Sequence, residues 1–512
     1  MLSAALFGIE AILVRVEAHG SAGLPAISTV GLPDNAVRES RERVRSAILN
    51  SGFAWPQKRL TINLAPADIR KNGCSLDLPV AVAIVALDEG ALARPIEEES
   101  LLVGELALDG SVRPVPGVLS VALEARSRGL RRLLVPAANA REAAVVEGIE
   151  VVPLRSLADA VGVLNGTLPP EPLPAAPESR VVRPGGTWNL DMADVKGQAA
   201  ARRALEVAAA GGHNILMIGP PGAGKTMLAR RFGGILPGLT TQEAIEVTQI
   251  HSAAGRTVPE GLTSQRPFRS PHHTASDIAL VGGGGAASGP RPGEVSLAHH
   301  GVLFLDELPE FHRHVLEVLR QPLEEGCVTI ARAARTARFP AAFTLVATMN
   351  PCPCGWLGDR SRECTCTPPM IARYRSRLSG PLLDRIDLHI EVPAVPYRKM
   401  SARDPAEASV LIRQRVMRAR ERQLARYAGQ TGLSCNARLP GAMLPSVCAL
   451  DEAGHRLLHA AMEKLGLSAR AHDRVLRLAR TIADLGGEES IEAAHVAEAI
   501  QYRGMDRSPE NR

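Results

Sequence analysis

The octapeptide Gly219-Pro220-Pro221-Gly222-Ala223-Gly224-Lys225-Thr226 has the order G-x-x-x-x-G-K-T, which suits the holding of phosphate. Glycines at 222 and 224 let the main chain turn its amides towards an anion. The start of a following helix adds partial positive charge. Lys225 would reach the β- and γ-phosphates of ATP, and Thr226 would ligate Mg2+. A second pair of groups, Asp306-Glu307, closes the apolar run "VLFL". Asp306 would share the Mg2+, while Glu307 would polarise the attacking water. Asn350 ends another apolar run, "FTLVATM", where an amide would position that water or sense the γ-phosphate. Together these residues are suited to ATP hydrolysis.

Just beyond Asn350 stand Cys352, Cys354, Cys364 and Cys366, four of the eight cysteines in the chain. They form two Cys-x-Cys pairs and would supply four thiolates for tetrahedral Zn2+. With sulfur in every position such a site would be structural. Free buried thiols at a turn are the alternative, and a redox pair is a more distant one.

Each of these groups needs an element to place it. Ile215–Ile218 predicts a strand before the phosphate loop, and a helix is expected after it. Val302–Leu305 and "FTLVATM" predict two more strands, and ligands bind at the carboxyl ends of strands in such sheets. Strand and helix signals alternate to about Val395, which predicts a mainly parallel sheet. From Asp404 onward the pattern is helical. The segment Gly166 to Gly186 holds six prolines and no apolar periodicity, so it reads as a semi-extended linker. Ahead of it, "KRLTINLAP" alternates like a strand, and "DLPVAVAIVAL" reads as a buried helix or strand. "DNAVRESRERVRSAILNSG" reads as an amphipathic helix capped by Asp34 or Asn35 and stopped at Gly52. There is no internal repeat. The predicted organisation is 1–165, a linker over 166–187, 188–395, and a helical 396–512.

The chain of 512 residues is too long for a single core and should divide into about three domains. With 45% apolar and 22% charged residues it has the composition of a soluble globular protein. A formal charge of +5 carries no global claim about nucleic acid, and 3% aromatic content argues against a surface of stacked bases. Backbone contacts by arginine, lysine and main-chain amides fit better. Leu78 to Leu87 is too short to span a bilayer, and the first twenty residues lack a basic start and carry Glu10 in their middle. No membrane association and a cytoplasmic location are expected, where clustered cysteines more often bind metal than form disulfides.

About 75 residues separate the two nucleotide motifs, more than a minimal connection. Arg266, Arg269, His272 and His273 crowd together there, and Gly282 to Gly285 predict a mobile turn. A second insertion, "CVTIARAARTARFPAAF", predicts a β-hairpin carrying Arg332, Arg335 and Arg338. Arginines on such loops suit the tracking of phosphates independently of base sequence. Arg269, His272, His273, Arg332 and Arg335 are the DNA-facing candidates. His272-His273 also invites a metal reading, but no acid or cysteine stands at a standard ligand spacing. Leu411 to Tyr427 carries six arginines against one glutamate. It reads as a solvated face on a lid helix, or as a nucleic-acid or inter-subunit surface.

The motifs "DVKGQAAARRALEVAAAGGHNILMIGPPGAGKT", "RPFRSPHH", "GEVSLAHHGVLFLDELPEF", "NPCPCG", "LLDRIDLHIEV" and "LSARAHDRVLRLARTIADL" resemble those of AAA+ ATPases, specifically the magnesium-chelatase-like ComM (YifB) family. The resemblance covers almost the whole chain. It implies an α/β architecture with a P-loop AAA+ core built on a parallel sheet and a helical C-terminal lid domain. By position, Asn350 matches sensor 1, Arg385 the arginine finger and Arg470 sensor 2. Val195, Gly197 and Gln198 fall where the family forms part of its adenine pocket. An arginine finger stabilises transition-state charge and would come from the adjoining subunit. Local pairing of Arg385 with Asp384 or Asp387 is the alternative. The resemblance also implies a hexamer.

The region before the linker resembles the Lon protease domain, a ribosomal S5 domain 2-like fold. That family uses a Ser–Lys dyad. "KNGCSLDL" puts Ser75 near the nucleophile position, but "VPGVLSVA" offers Leu119 or Ser120 where the lysine should lie. The expected role is non-proteolytic, in assembly or DNA contact. The resemblance implies an ATP-driven DNA translocase, a branch-migration helicase of recombination in natural transformation. The competing readings are a chelatase-type motor that remodels a partner protein, and an ATP-dependent protease.

Overall fold

A computed structural model describes residues 1–32, 34–67, 71, 73–88, 90–92, 99–174, 190–256, 261–284, 289–331, 336–359, 362–395, 406–430 and 432–503. Most of the proline-rich linker, together with Arg332, Arg335 and Gly285, lies outside the described residues.

The N-terminal part is a mixed seven-stranded sheet. Its strands are β1 (Leu2–Phe7), β2 (Glu10–Ser21), β3 (Ala26–Val30), β4 (Arg59–Ala65) and β5 (Ser100–Leu102), followed after the small hairpin β6 (Glu105–Leu106) and β7 (Val112–Arg113) by β8 (Arg132–Pro136) and β9 (Glu150–Leu154). The order is β3-β4-β2-β1-β5-β8-β9. Side chains alternate across a strand, and both faces here are buried. Ala5, Leu102, Leu134 and Val152 enter one core with helices Asn35–Asn50 and Asp77–Val85. Their neighbours Ala4, Leu101, Leu133 and Val151 enter a second core with helix Val118–Ser127. That second core is completed by Leu239, Ala244 and Val247, the last two from helix Thr241–Ala253. The Asn35–Asn50 helix starts at Asp34, whose carboxylate accepts from the Val37 amide at 2.8 Å. "DLPVAVAIVAL" is resolved as a helix, Asp77–Val85.

The central part contains a five-stranded sheet, all parallel. In chain order its strands are β10 (Ile215–Ile218), β11 (Phe268–Arg269), β14 (Val302–Leu305), β17 (Thr344–Met349) and β18 (Leu388–Glu391). They are arranged β11-β14-β17-β10-β18. Two antiparallel pairs are inserted: β12 (Gly282–Gly283) with β13 (Arg291–Pro292), and β15 (Cys327–Ala331) with β16 (Thr336–Pro340). The second pair is the expected hairpin. A Cβ on Gly282 would stand 2.6 Å from the Arg291 carbonyl oxygen, and one on Gly284 only 1.9 Å from that of Gly289. Glycine is required at 282 and 284 because two backbones approach closely.

After β18 every described element is helical, the longest being Ser409–Arg426 and Ala469–Gly486. Neither sequence reading of the arginine-rich helix fits most of its arginines. Arg413 donates to the Gly234 carbonyl at 2.8 Å, Arg415 pairs with Glu206 and Glu407, and Arg420 donates to the Ala209 and Ser434 carbonyls. Arg426 meets the buried Asp484 at 2.5 Å, and Arg480 reaches the same carboxylate at 3.2 Å. Only Arg418 and Arg422 of the six are exposed, so the helix is fastened to its own chain. Removing the anion shared by the buried Arg480 and the half-buried Arg426 leaves uncompensated charge. Asp484→Ala is therefore expected to destabilise the protein by about 3–5 kcal/mol. The check is the urea unfolding midpoint at unchanged m-value.

Candidate functional site

The parallel register decides which residues meet. Ile218 lies beside Met349, and Leu305 beside Ala347. The phosphate loop, Asp306-Glu307 and Asn350 therefore all leave the sheet at its carboxyl edge.

Lys225 is nearly buried, and its ammonium donates to the carbonyls of Gly219 and Pro220 and, at 3.1 Å, to Asn350 Oδ1. Burial lowers its pKa, against the attraction of Asp306 and Glu307. Thr226 donates to Asp306 at 2.9 Å. Thr348 donates to the other Asp306 oxygen, and the Glu307 amide donates to Thr348 at 3.1 Å. Glu307 itself is exposed and sits at φ +52°, an uncommon conformation for a residue other than glycine. Such a turn persists where its surroundings fix it, and Thr348 is one of the fixings. Gly222 and Gly224 have φ of +77° and +88°. At Gly219 the demand is space instead, since a Cβ would stand 2.0 Å from the Val392 carbonyl oxygen. The donor set fits a magnesium-bound triphosphate: an ammonium, a glycine-freed loop opening a helix, and a hydroxyl–carboxylate pair.

Gln198 is buried and donates to the Ala223 and Pro393 carbonyls, tying the phosphate loop to the segment after β18. Val195 is fully buried, and Gly197 has φ +75°.

Arg385 pairs with neither residue considered from sequence. Its guanidinium meets Glu324 at 2.5 Å and the Pro381 carbonyl at 2.6 Å, and it is largely buried. Asp387 instead takes Arg474 and the Asn214 amide. Arg470 is exposed, with Asp384 at 4.0 Å. Arg269, expected to face DNA, is gripped by both oxygens of Glu294 at 2.6 and 2.8 Å, so its charge is met inside the chain. His272 is exposed, its ring 4.0 Å from that of His273.

The four cysteines converge, all sulfurs lying within 4.8 Å of one another. Cys352 is 3.4 Å from Cys354 and 3.6 Å from Cys364. A tetrahedron with Zn–S of about 2.3 Å needs S···S of about 3.8 Å, so the cluster is compatible with zinc. It also leans on the nucleotide loop: a Cβ on Gly355 would stand 2.7 Å from Pro221 Cδ. Glu246, His299 and His300 form a second cluster. There the Ala342 amide donates to His299 Nδ1, so the proton sits on Nε2 facing Glu246. That is a hydrogen-bonded pair, with burial pushing His299 down to about 4.

In the N-terminal part, Leu119 and Ser120 are buried and Ser120 donates to the Ile9 carbonyl. The Lys71 ammonium is bonded to the Pro66 carbonyl. Sequence reasoning missed Thr348; its signal was a hydroxyl near the carboxyl end of an otherwise apolar strand, two residues before Asn350.

Comparison with known proteins gives the family. The family described as magnesium chelatase, subunit ChlI, matches residues 191–400, its C-terminal region matches 406–503, and a further ChlI model matches 16–139. The chain belongs to this magnesium-chelatase-like family of AAA+ proteins. Within it, the chain is 46% identical to YifB of Escherichia coli over 98% of its own length and 96% of that protein. It is also 46% identical to competence protein ComM of Haemophilus influenzae, covering 99% and 97% of the two chains. A Mycobacterium tuberculosis relative, Rv2897c, is 42% identical over 98% of this chain and 97% of its own. DNA repair protein RadA of Escherichia coli matches 31% of the chain at 29% identity. Among the described residues no helix is long and apolar enough to cross a membrane.

Thr348→Val keeps the shape but leaves Asp306 and the Glu307 amide short of a partner. A loss of about 1–3 kcal/mol is expected in urea unfolding, with Thr348→Ser close to the parent. Equal stability of the valine variant would remove Thr348 from this role.

Proposed function

We propose that the protein is an ATP-hydrolysing ring motor that acts on DNA in the cytoplasm. The observation that carries the reading is the meeting of Lys225, Thr226, Asp306, Glu307 and Asn350 at one sheet edge. In this reading the amides of 220–226 and Lys225 hold the phosphates, and Gln198, Gly197 and Val195 border the base. Thr226 and Asp306 hold Mg2+, which when bound neutralises charge on the β- and γ-phosphates. Glu307 orients and polarises water, and Asn350 senses the γ-phosphate through its contact with Lys225. Arg470 serves as sensor 2 within the subunit.

Arg385 is proposed as the finger supplied to the neighbouring subunit of a hexamer. Its pairing with Glu324 means that it must exchange one anion for another, Glu324 for the neighbour's γ-phosphate. Zn2+ is proposed at Cys352, Cys354, Cys364 and Cys366 as a brace for the phosphate loop through Gly355 and Pro221. Similarity to ComM supports a branch-migration helicase in natural transformation as the particular motor. DNA contact is proposed through His272, His273 and the hairpin carrying Arg332 and Arg335, by backbone phosphates rather than bases. The N-terminal part serves assembly or DNA contact and does not cleave peptides. The family models favour one other reading, a motor that remodels a protein partner as magnesium chelatase does.

The deciding experiment is ATPase and strand displacement on forked and three-stranded DNA. DNA-stimulated turnover with unwinding is expected; indifference to every DNA would turn the reading to a protein partner. Glu307→Gln should bind ATP but lose turnover by a factor of about 100 or more. Arg385→Ala should fall by about 1,000-fold while still binding nucleotide, and unchanged turnover would reject the shared site. Zinc should be found at about one per chain by elemental analysis, and its removal should lower the melting temperature. A metal-free protein of full stability would reject it.

A further inference from the structure

A cavity of about 60 Å3 lies at the other end of the parallel sheet from the nucleotide loop. Thr344 begins β17, Gly301 immediately precedes β14 and Gly212 shortly precedes β10, so their presence in its wall places it at the amino edge. Three arginines line it: Arg266 from the segment before β11, Arg420 from helix Ser409–Arg426, and Arg438 beyond that helix. Among the described residues Glu243 is the one acid in the wall, and it is already paired with Arg266 at 2.9 Å, with His300 Nδ1 at 3.6 Å. The formal sum is three positive charges against one negative, leaving +2 with His300 neutral.

Arg266 is fixed by the carbonyls of Pro237, Gly238 and His300 as well as by Glu243. Burial lowers its pKa; Glu243 opposes that effect and the nearby Arg420 charge adds to it. Arg420 touches only carbonyls, at 3.2 Å each, and its Nε is buried without a partner. Arg438 is exposed. Among the described residues neither Arg420 nor Arg438 has an ion-pair partner. Carbonyl contacts orient a guanidinium but do not neutralise it, so the charge is presented to the cavity unmet. The space suits a small guest. A water needs about 10–15 Å3 by this measure, so the cavity has room for about four to six, comparable with the four oxygens of a tetrahedral anion. Gly212 keeps this space open, since a Cβ there would stand 3.1 Å from an Arg420 nitrogen.

We propose that this cavity is a phosphate-binding site separate from the nucleotide loop, with Arg420 and Arg438 as its principal anion ligands and Arg266 as its fixed wall. Its guest is a phosphate group, either one carried on a nucleic-acid backbone or a free phosphate. An anion held there joins the core sheet to the C-terminal helices, because Arg266 belongs to the first and Arg420 and Arg438 to the second.

The test is calorimetric titration of the full chain with inorganic phosphate. Lys225→Ala, which weakens the nucleotide loop, should leave this binding intact. Arg438→Ala and Arg420→Gln should each weaken it by about tenfold or more. Arg420 also fastens a helix, so its loss risks the fold; Arg438 is exposed and unpaired, and its variant keeps the test decisive. If both variants bind phosphate as the parent does, or if Lys225→Ala abolishes binding, the proposal fails. A second arm identifies the guest, by anisotropy of a short single-stranded oligonucleotide over a range of salt. Weaker binding by Arg438→Ala, with the log–log salt slope shallower by about 0.7, assigns the site to a backbone phosphate. Unchanged oligonucleotide binding together with lost phosphate binding assigns it to a free phosphate. Either result supports the site, and neither depends on unwinding activity.

Discussion

The parallel alignment of β14, β17 and β10 is the constraint from which the rest follows. It brings three chain segments, separated by up to 125 residues, to one edge within hydrogen-bonding distance. Thr226, Asp306 and Thr348 then form a short chain of oxygens across that edge. One residue of slippage in β17 would turn Thr348 to the opposite face and separate Asn350 from Lys225. The bulky apolar residues of these strands, buried on both faces, are what make such slippage costly.

Much of this was legible from the residues. The limits Ile215–Ile218 and Val302–Leu305 emerge as read, because an apolar run that stops abruptly at glycine or at two acids marks a strand end. The hairpin β15–β16 and the Asp34 cap were legible for the same local reasons. The ion pairs were not. Glu324 with Arg385 and Glu294 with Arg269 join residues far apart in sequence, with no periodicity to announce them. Arginine density is for that reason a poor guide to surface. Helix Ser409–Arg426 carries six arginines, yet most reach back to carbonyls and carboxylates of their own chain. At Gly282 and Gly284 sequence reveals freedom of rotation but not the nearness of another backbone.

The arrangement around Arg385 gives the proposed shared catalysis a physical form. A guanidinium bound to Glu324 is neutralised while its subunit stands alone, so its burial leaves no uncompensated charge. Engagement by a neighbour then becomes a competition between two anions, one fixed and one carrying the charge of a triphosphate. The cysteine loop touches the phosphate loop where Gly355 meets Pro221. Pro221 itself has a fixed φ, so the contact is made with a stiff part of the loop.

Helix Thr241–Ala253 has a wider significance. It stands in the chain between the phosphate loop and Asp306, yet Ala244 and Val247 finish the core of the N-terminal sheet, and Ser252 Oγ accepts from the Gly117 amide at 2.9 Å. The front and middle of the molecule are therefore not beads that could be restrung. Grafting the N-terminal portion onto a foreign motor would strand an oily surface and an orphaned amide. Lineages that keep one half are under pressure to inherit the other, and differences should accumulate on the two sides of this seam in matched pairs.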